Sequence, residues 1–493
     1  MNAKIVLIVI LILGLFFRTY KLEIFYPWGH DQDLFAWIAK DIVVEHHFRL
    51  IGQETSITGV FIGPIFYYLM ALSFAVFNMN PMSANIPTTI ISLLTIFSIY
   101  WVFSKFFNQT TGLIGAFLYA ISPGMVFLDR WVVPTQPSIL WGIWYLYVLF
   151  SILKGNFQLI ILPLSILIGL IWHVHIAFIP LLILLPFAFL LSDKKKRRFE
   201  FKFKTLVLSL LVLIILTSPF FIFEVRHGFV QTRSLVQATT QDKGDLTGTS
   251  RMIKVINSGG RSLAGAFVLS NTVIGLSPTV TTILPFLLLA GIFYLKTIKI
   301  LSKNQTVVIL IWVAVVFMGQ FFSKRIITEY YFNNLFVILF LILSLILTKA
   351  NNISKKIPVV IILLLVYLTG ITVWFINRPD DLGGFLYKRQ AVEFIKNDVL
   401  NKGYPCIGIS NIESNLGGGN GFRYLFWLNH LSVITPGNDV AVYNIVNPWT
   451  ISASEISAKF GNLGVIVPTG KNINPQVCNK QERQLLPLWG FNN

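Results

Sequence analysis

Long apolar runs set the architecture. Stretches of roughly 17–20 apolar residues recur along the first three-quarters of the chain, and each is long enough to cross about 30 Å of hydrocarbon as a helix. The segments 4–17, 86–103, 111–128, 137–153, 157–172, 174–191, 205–223, 277–295, 305–322, 329–348 and 357–376 predict about 11 transmembrane helices. Short alternating runs are absent there, so the pattern is that of an all-α polytopic bundle and not a β-barrel. A further apolar stretch, 63–79, fits either a crossing or an interfacial helix. Residues 34–48 carry apolar side chains at helical spacing with charges between them, the pattern of an amphipathic helix lying on the membrane. Beyond residue 376 the pattern changes. Residues 387–400 have helical periodicity, while 406–410 and 463–467 read as short buried strands. Gly417, Gly418, Gly419, Asn420 and Gly421 form a flexible loop. The expectation is a small α/β domain.

Charge decides the ambiguous stretch. Lys194, Lys195, Lys196, Arg197 and Arg198, with Lys202 and Lys204 behind them, make the strongest basic cluster. Lys296, Lys299 and Lys303 make a second, and Lys349, Lys355 and Lys356 a third. Basic loops remain cytoplasmic. With the N-terminus inside, all three clusters fall inside only if 63–79 does not cross. Residues 18–85, 129–136, 224–276, 323–328 and 377–493 then lie outside. The expected organisation is a transmembrane domain over 1–376 and an extracytoplasmic α/β domain over 377–493, in a multi-pass protein of the plasma (inner) membrane. Within 1–376, residues 18–85 form a first external loop with interfacial helices and 224–276 a second large one. The first segment has Lys4 and an apolar core, as a signal peptide does. However, Arg18 to Glu23 follow without a small-x-small cleavage site, so it is expected to remain as the first helix.

Composition agrees with a membrane protein. The 493 residues are 55% hydrophobic and 12% charged, about half the charged share of a soluble protein. The net charge is +18, but the 39 basic residues are spread over the loops. Orientation and anionic lipid explain them better than nucleic acid, for which no basic helix or motif is present. Cys406 and Cys478 can pair if their domain is exported; otherwise they are unpaired thiols. No Cys/His cluster has zinc-site spacing, and the Gly-rich loop lacks the Lys-Ser/Thr of a phosphate-binding loop. No metal and no cofactor are expected.

Candidate chemistry gathers at the outer boundary. His30-Asp31-Gln32-Asp33 follows the first crossing. A carboxylate placed there can take the proton of an acceptor hydroxyl. Asp31 is the first candidate and Asp33 the second; either can instead cap the helix that follows, a job that Asp33 suits better because it adjoins the helix start. Lys324 and Arg325 sit on an outer loop against the positive-inside bias and can hold a phosphate, Arg bidentately. Tyr330 and Tyr331 follow them. The plainer alternative for the two cations is snorkelling beside an aromatic belt. Arg130 is another phosphate candidate. Glu54 and the outer-turn residues His173 and His175 are candidate substrate contacts. Two histidines two positions apart do not share a helix face, and hydrogen-bonded interfacial histidines are the simpler reading.

The order of these features resembles the GT-C glycosyltransferases. More narrowly, it is similar to the branch that holds the protein O-mannosyltransferases and lipid A aminoarabinose transferases. The resemblance is carried by Asp31-Gln32-Asp33 after helix one, by the loop helix opened at Gly63-Pro64, and by Asp129-Arg130-Trp131-Val132-Val133-Pro134 after the third crossing. It covers about residues 5–350. It implies transfer of a sugar from a polyprenyl phosphate to an acceptor at the outer membrane face, with the first acid of the motif, Asp31, as base. The chain departs from that pattern twice: the usual Asp-Glu pair reads Asp31-Gln32, and the acid before a proline is replaced by Gln136 before Pro137. One clear base favours inversion at the sugar; retention usually needs a second carboxylate. The partners implied are the lipid-linked sugar, an extracytoplasmic acceptor and membrane lipid. Two rival readings are a lipid-linked-glycan flippase or transporter and a polyprenyl-carrier glycan polymerase or ligase. A transporter places charges at mid-membrane and often shows repeats; here the charges cluster at the outer boundary.

Overall fold

The computed structural model describes residues 2–197, 201–240, 246–267, 276–323, 327, 329–353, 359–411, 421–437, 439–446, 455–469 and 475–479. Helix α1 (Ala3–Thr19), a one-turn α2 (Leu22–Phe25), α3 (His30–Val44) and α4 (Ile65–Val76) open the chain. There follow α5 (Asn85–Phe106), α6 (Gln109–Ile121), α7 (Pro123–Arg130), α8 (Ser138–Leu153), α9 (Ile161–Val174), α10 (Leu184–Leu190) and α11 (Phe203–Arg226). Next come α12 (Val230–Thr240), α13 (Gly248–Gly265), α14 (Pro278–Thr297), α15 (Lys303–Phe322), α16 (Leu335–Ile353) and α17 (Val359–Asn377). Each of the apolar segments read from the sequence coincides with a helix or helix pair. Five helices, Pro81–Phe106, Phe203–Arg226, Pro278–Thr297, Lys303–Phe322 and Val359–Asn377, are long and apolar enough to span a membrane unaided.

Helices α6 and α7 together match the length and apolarity of one more span but meet at a 62° bend, the geometry of a broken span or a re-entrant loop. Ser122 stands at the break in an extended conformation because the residue before a proline is pushed out of the helical region. Its hydroxyl accepts the Met125 N–H, and Pro123 opens α7. The bend carries Asp129 and Arg130 into the bundle. Lipid-facing surfaces are equally plain. Leu208, Leu210 and Ile215 of α11 and Ile361, Leu363 and Val366 of α17 are exposed, a surface that a soluble fold would not leave bare.

Two hydrophobic cores result. The larger fills the bundle, with Trp312, Tyr145 and Phe103 fully buried. The second joins α3 and α4 to the C-terminal domain: Phe35, Tyr67 and Phe74 pack with Val392, Leu425 and Tyr443 in one cluster. Helix α3 was expected to lie on the membrane, but it is sandwiched between α4 and the C-terminal domain. Its apolar positions 34, 35, 36, 38, 39 and 42 cover more than one face, so no single stripe is left for lipid. Helix α4 turns Phe66, Tyr67, Met70 and Phe74 to α3 and leaves Leu69, Leu72 and Val76 exposed, the division expected of an interfacial helix.

In the C-terminal domain, helix α18 (Phe385–Lys402) ends at Gly403, whose φ of 62° suits a left-handed cap. Strands β1 (Ile407–Asn411), β2 (Val433–Ile434), β3 (Ala441–Val446), β4 (Ala458–Phe460) and β5 (Leu463–Ile466) form one sheet in the order β2-β1-β3-β5-β4. β1 runs parallel to β2 and β3, while β5 is antiparallel to β3 and β4. The helix α19 (Arg423–Leu428) lies between β1 and β2 in sequence. Cys406 and Cys478 form a disulfide with Cα atoms 5.7 Å apart. Gly417, Gly418 and Gly419 fall outside the described residues.

Candidate active site

A cavity of about 190 Å³ opens where α3, the loop between α3 and α4, the α7–α8 connection and the α9 turn meet; Asp31, Glu54, Asp129, Gln136 and His175 line it. A second cavity of about 200 Å³ shares Thr55, Ser56 and His175 with the first and runs on between apolar residues such as Leu181, Val315 and Val316, past Tyr331 and Asn334. The two cavities adjoin at those shared residues; carboxylates line the first, the polar end of the recess, and none lines the second, its apolar end.

Three carboxylates line the polar end, and their environments differ. Asp129 is saturated: Arg18 makes a 2.7 Å ion pair with it, and Ser92, Tyr119 and Gln136 donate to it at 2.7, 3.0 and 3.1 Å. Arg18 also donates to the carbonyls of Ala120 and Gly14. This buried knot binds α1, α5, α6 and α7 beneath the cavity floor. Glu54 accepts the Gly59 N–H at 2.7 Å, where φ of 80° at Gly59 lets the loop turn back on itself. Asp31 is half-buried in the first turn of α3, and among the described residues no hydrogen bond engages its carboxylate. Burial raises the Asp31 carboxyl above its ordinary value, and His30 beside it lowers it by less. The Tyr67 hydroxyl, buried and without a partner among the described residues, lies within electrostatic reach of Asp31.

The loop that carries Glu54 is fastened from below. Gly63 donates its N–H to Trp172 at 2.9 Å, and His173 accepts the Ile65 N–H at Nδ1 while its Nε2 meets the Leu216 carbonyl at 2.7 Å. A side chain at Gly63 would collide with the His173 ring, so the close approach requires glycine.

Residues 62–223 match the family model of dolichyl-phosphate-mannose-protein mannosyltransferases. The crystal structure of ArnT from Cupriavidus metallidurans in the apo state is similar, with a TM-score of 0.57 at 13% identity, over 94% of this chain and 96% of that one. The chain has the GT-C fold. The Archaeoglobus fulgidus oligosaccharyltransferase was also found, at a TM-score of 0.47 and 14% identity, over 86% of this chain and 61% of that one. No curated protein sequence matches significantly.

Within this GT-C frame the sequence candidates separate. Asp31, Glu54 and His175 reach the recess, and Tyr331 lines its apolar end, hydrogen-bonded to Ser56 at 3.1 Å. His173 does not line it, because both ring nitrogens hold backbone. Gln32 is likewise committed. Its Oε1 accepts the Gly29 N–H at 3.0 Å and its Nε2 donates to the Val132 carbonyl. Asp33, expected to be a base or a helix cap, does neither, since Gly29 is the cap residue. Its two oxygens accept the N–H groups of Arg423 and Tyr424 at 3.1 and 2.8 Å. Burial pushes its carboxyl up to about 7 against the opposing pull of those N–H groups, Lys388 and Arg423. Arg130 commits Nε and Nη2 to the end of α1 and leaves Nη1 without a partner among the described residues. Its guanidinium donates to the Phe17 and Tyr20 carbonyls at 2.7 Å and lies over the Phe375 ring, the usual satisfaction of helix C-terminal carbonyls by arginine. Lys324 and Arg325 lie outside the described residues, and the side chain of Tyr330 is not described. Among the described residues no three His, Cys, Asp or Glu side chains converge as a metal site would require.

Sequence reasoning missed Arg18 and Asn334. A signal existed for the first: a lone arginine closing an apolar helix calls for a buried partner. Asn334 offered none, and Gln136 was noted only as standing where the family pattern has an acid. Each presents a buried amide oxygen with no partner among the described residues.

Proposed function

We propose that this protein is a membrane glycosyltransferase that moves a monosaccharide from a polyprenyl-phosphate carrier to a hydroxyl of an extracytoplasmic acceptor. One observation carries the reading. Of the three carboxylates in the cavity, Asp129 and Glu54 are held by hydrogen bonds within the protein, and Asp31 is left to act. The match of residues 62–223 to dolichyl-phosphate-mannose-protein mannosyltransferases supports the donor class.

The acceptor hydroxyl enters the polar end beside Asp31. As its oxygen attacks the anomeric carbon, the bond from that carbon to the phosphate oxygen breaks, and the hydroxyl proton passes to Asp31. Polyprenyl phosphate leaves with the bonding electrons. Attack opposite the leaving group inverts the anomeric centre. A carboxyl raised by burial is the stronger base for this step. The carrier's tail occupies the apolar end, between Leu181, Val315 and Val316. Lys324 and Arg325, next in sequence after Ser323, are the cations we assign to the leaving phosphate. The Cys406–Cys478 disulfide supports an oxidising, extracytoplasmic side for this face, and the basic loop around Lys196 supports the cytoplasm for the other.

The test is Asp31→Asn, which keeps size and polarity but removes the base. Mass spectrometry of surface glycans from cells carrying wild type or variant should show the added sugar fall by about 10²–10⁴-fold. Retention of more than about a tenth of wild-type transfer, set against that range, would remove Asp31 as base. Movement of the lipid-linked sugar across the membrane with no new glycosidic bond in wild type would point to a flippase instead.

A further inference from the structure

The opposite end of the bundle holds a cavity that this reaction does not use. Helix α5 links the two ends. The Thr88 carbonyl near its start accepts from Gln136 of the outer cavity, and Phe106 at its end lines the inner one. The 18 residues from Thr88 to Phe106 put about 27 Å between those points at 1.5 Å per residue, close to the roughly 30 Å of a hydrocarbon core. The inner cavity measures about 420 Å³, within the ~300–1,000 Å³ of small-molecule sites.

Its walls are of two kinds. Phe106 and Phe107 from the α5–α6 turn supply apolar surface, while Asn108, Thr111, Thr348 and Lys349 supply polar groups. The Thr111 and Thr348 hydroxyls are 3.0 Å apart and tie α6 to α16. Thr348 also donates to the Ser344 carbonyl, so neither hydroxyl neutralises charge. Lys349 is half-buried. No carboxylate lines the cavity, and none pairs with Lys349 among the described residues. The flanking cations are held by aromatic faces: Lys154 lies 4.7 Å over Phe106, and Lys105 lies 4.6 Å over Trp101. A positive, unneutralised recess with aromatic walls at a membrane boundary selects an anion attached to an apolar body.

We propose that this cavity binds the phosphate-bearing headgroup of an anionic phospholipid, with Lys349 as its counter-ion and Asn108 as a further donor. The acyl chains leave along Phe106 and Phe107 into the bilayer. Its assignment to the cytoplasmic leaflet rests on the sidedness proposed above; the binding chemistry does not.

Native mass spectrometry of the full-length protein in neutral detergent tests this. Short-chain phosphatidylglycerol, short-chain phosphatidylcholine and inorganic phosphate are titrated separately. The expected result is saturable binding of phosphatidylglycerol over phosphatidylcholine, weakened about ten- to a hundredfold in Lys349→Gln, the range of one charged hydrogen bond to phosphate, and largely restored in Lys349→Arg. Identical phosphatidylglycerol binding in wild type and Lys349→Gln would overturn the site, as would equal binding of phosphatidylcholine. Inorganic phosphate binding as tightly as the lipid would also overturn it, in favour of a free-phosphate site. Sugar transfer by Lys349→Gln should equal wild type, which shows that the variant folds. Should Asp31→Asn retain transfer while Lys349→Gln loses lipid, the proposed catalytic role fails and the lipid site stands.

Discussion

The Arg18–Asp129 pair offers the sharpest measurement. Both side chains are almost wholly buried, at 0% and 2% exposure. Arg18→Met removes the guanidinium but keeps much of its volume. Asp129 would then retain Tyr119, Ser92 and Gln136 as donors, all neutral, around an uncompensated charge. Breaking a buried pair in this way costs about 3–5 kcal/mol. Asp129→Asn leaves Arg18 with the Ala120 and Gly14 carbonyls, and a cost of the same order is expected, about 3–5 kcal/mol. In the double variant no lone charge remains. Because each single cost is mostly the penalty of the stranded partner, the double should cost about 3–5 kcal/mol less than the sum of the singles. Equilibrium unfolding of the purified protein in mixed micelles, followed by tryptophan fluorescence, supplies the four free energies. The singles should also lose transfer activity, since the floor of the outer cavity is held by this knot. Additive costs, with a coupling under about 0.5 kcal/mol, would refute the view that the two charges act as a unit.

Other expectations follow from the same contacts. Asp33 has its carboxyl raised to about 7 in the fold, so the folded state holds its proton more tightly than the unfolded chain does. The stability this lends is full below the ordinary carboxylate range and is lost as pH rises toward 7; thermal unfolding from pH 4 to 8 should show that slope, and Asp33→Asn should flatten it. Arg325→Ala should weaken donor-lipid use about ten- to a hundredfold, and Arg325→Lys should recover only part because the planar fork is gone; unchanged donor affinity in the alanine variant ends the phosphate assignment. Cys406 and Cys478 are 72 positions apart, a closure worth about 4 kcal/mol on the chain-entropy model, so Cys478→Ser should make the C-terminal domain markedly more sensitive to protease, and an equal digestion rate would contradict that.

The sequence reading held wherever one-dimensional pattern matches local physics. Apolar runs located the membrane helices to within a few residues, and periodicity found Phe385–Lys402, β1 and β5. It slipped where local signals were unusual. Helix α3 starts at His30, four residues earlier than its apolar spacing indicated, because its cap is Gly29 with Gln32 reaching back, and the customary Ser, Thr, Asp or Asn is missing. The short strands β2 and β4 have no alternation long enough to see. The sequence pattern singled out Asp31, a charge at a boundary that nothing local needed, and the fold brings it to the cavity. Site chemistry was not readable for Asp33, whose partners lie 390 and 391 residues away, nor for Arg130, whose partners are carbonyls at the end of α1. A side chain's type announces what it can bond, and only the fold decides which group it meets.

The shared core between the first external loop and the C-terminal domain has a consequence in time. Trp28 and Gly421, joined by a 2.7 Å hydrogen bond, are 393 positions apart. At about 5–20 residues per second, synthesis of the intervening chain takes roughly 20–80 s. During that interval α3 has left the ribosome but lacks the surface that encloses it, so Phe35 and Ile38 face water or lipid. The nascent protein therefore carries its catalytic candidate on an unfinished element until nearly the whole chain has emerged. A ribosome that stops early leaves an inserted bundle without a working site, and helpers that shield exposed apolar surface have their longest task on residues 18–85.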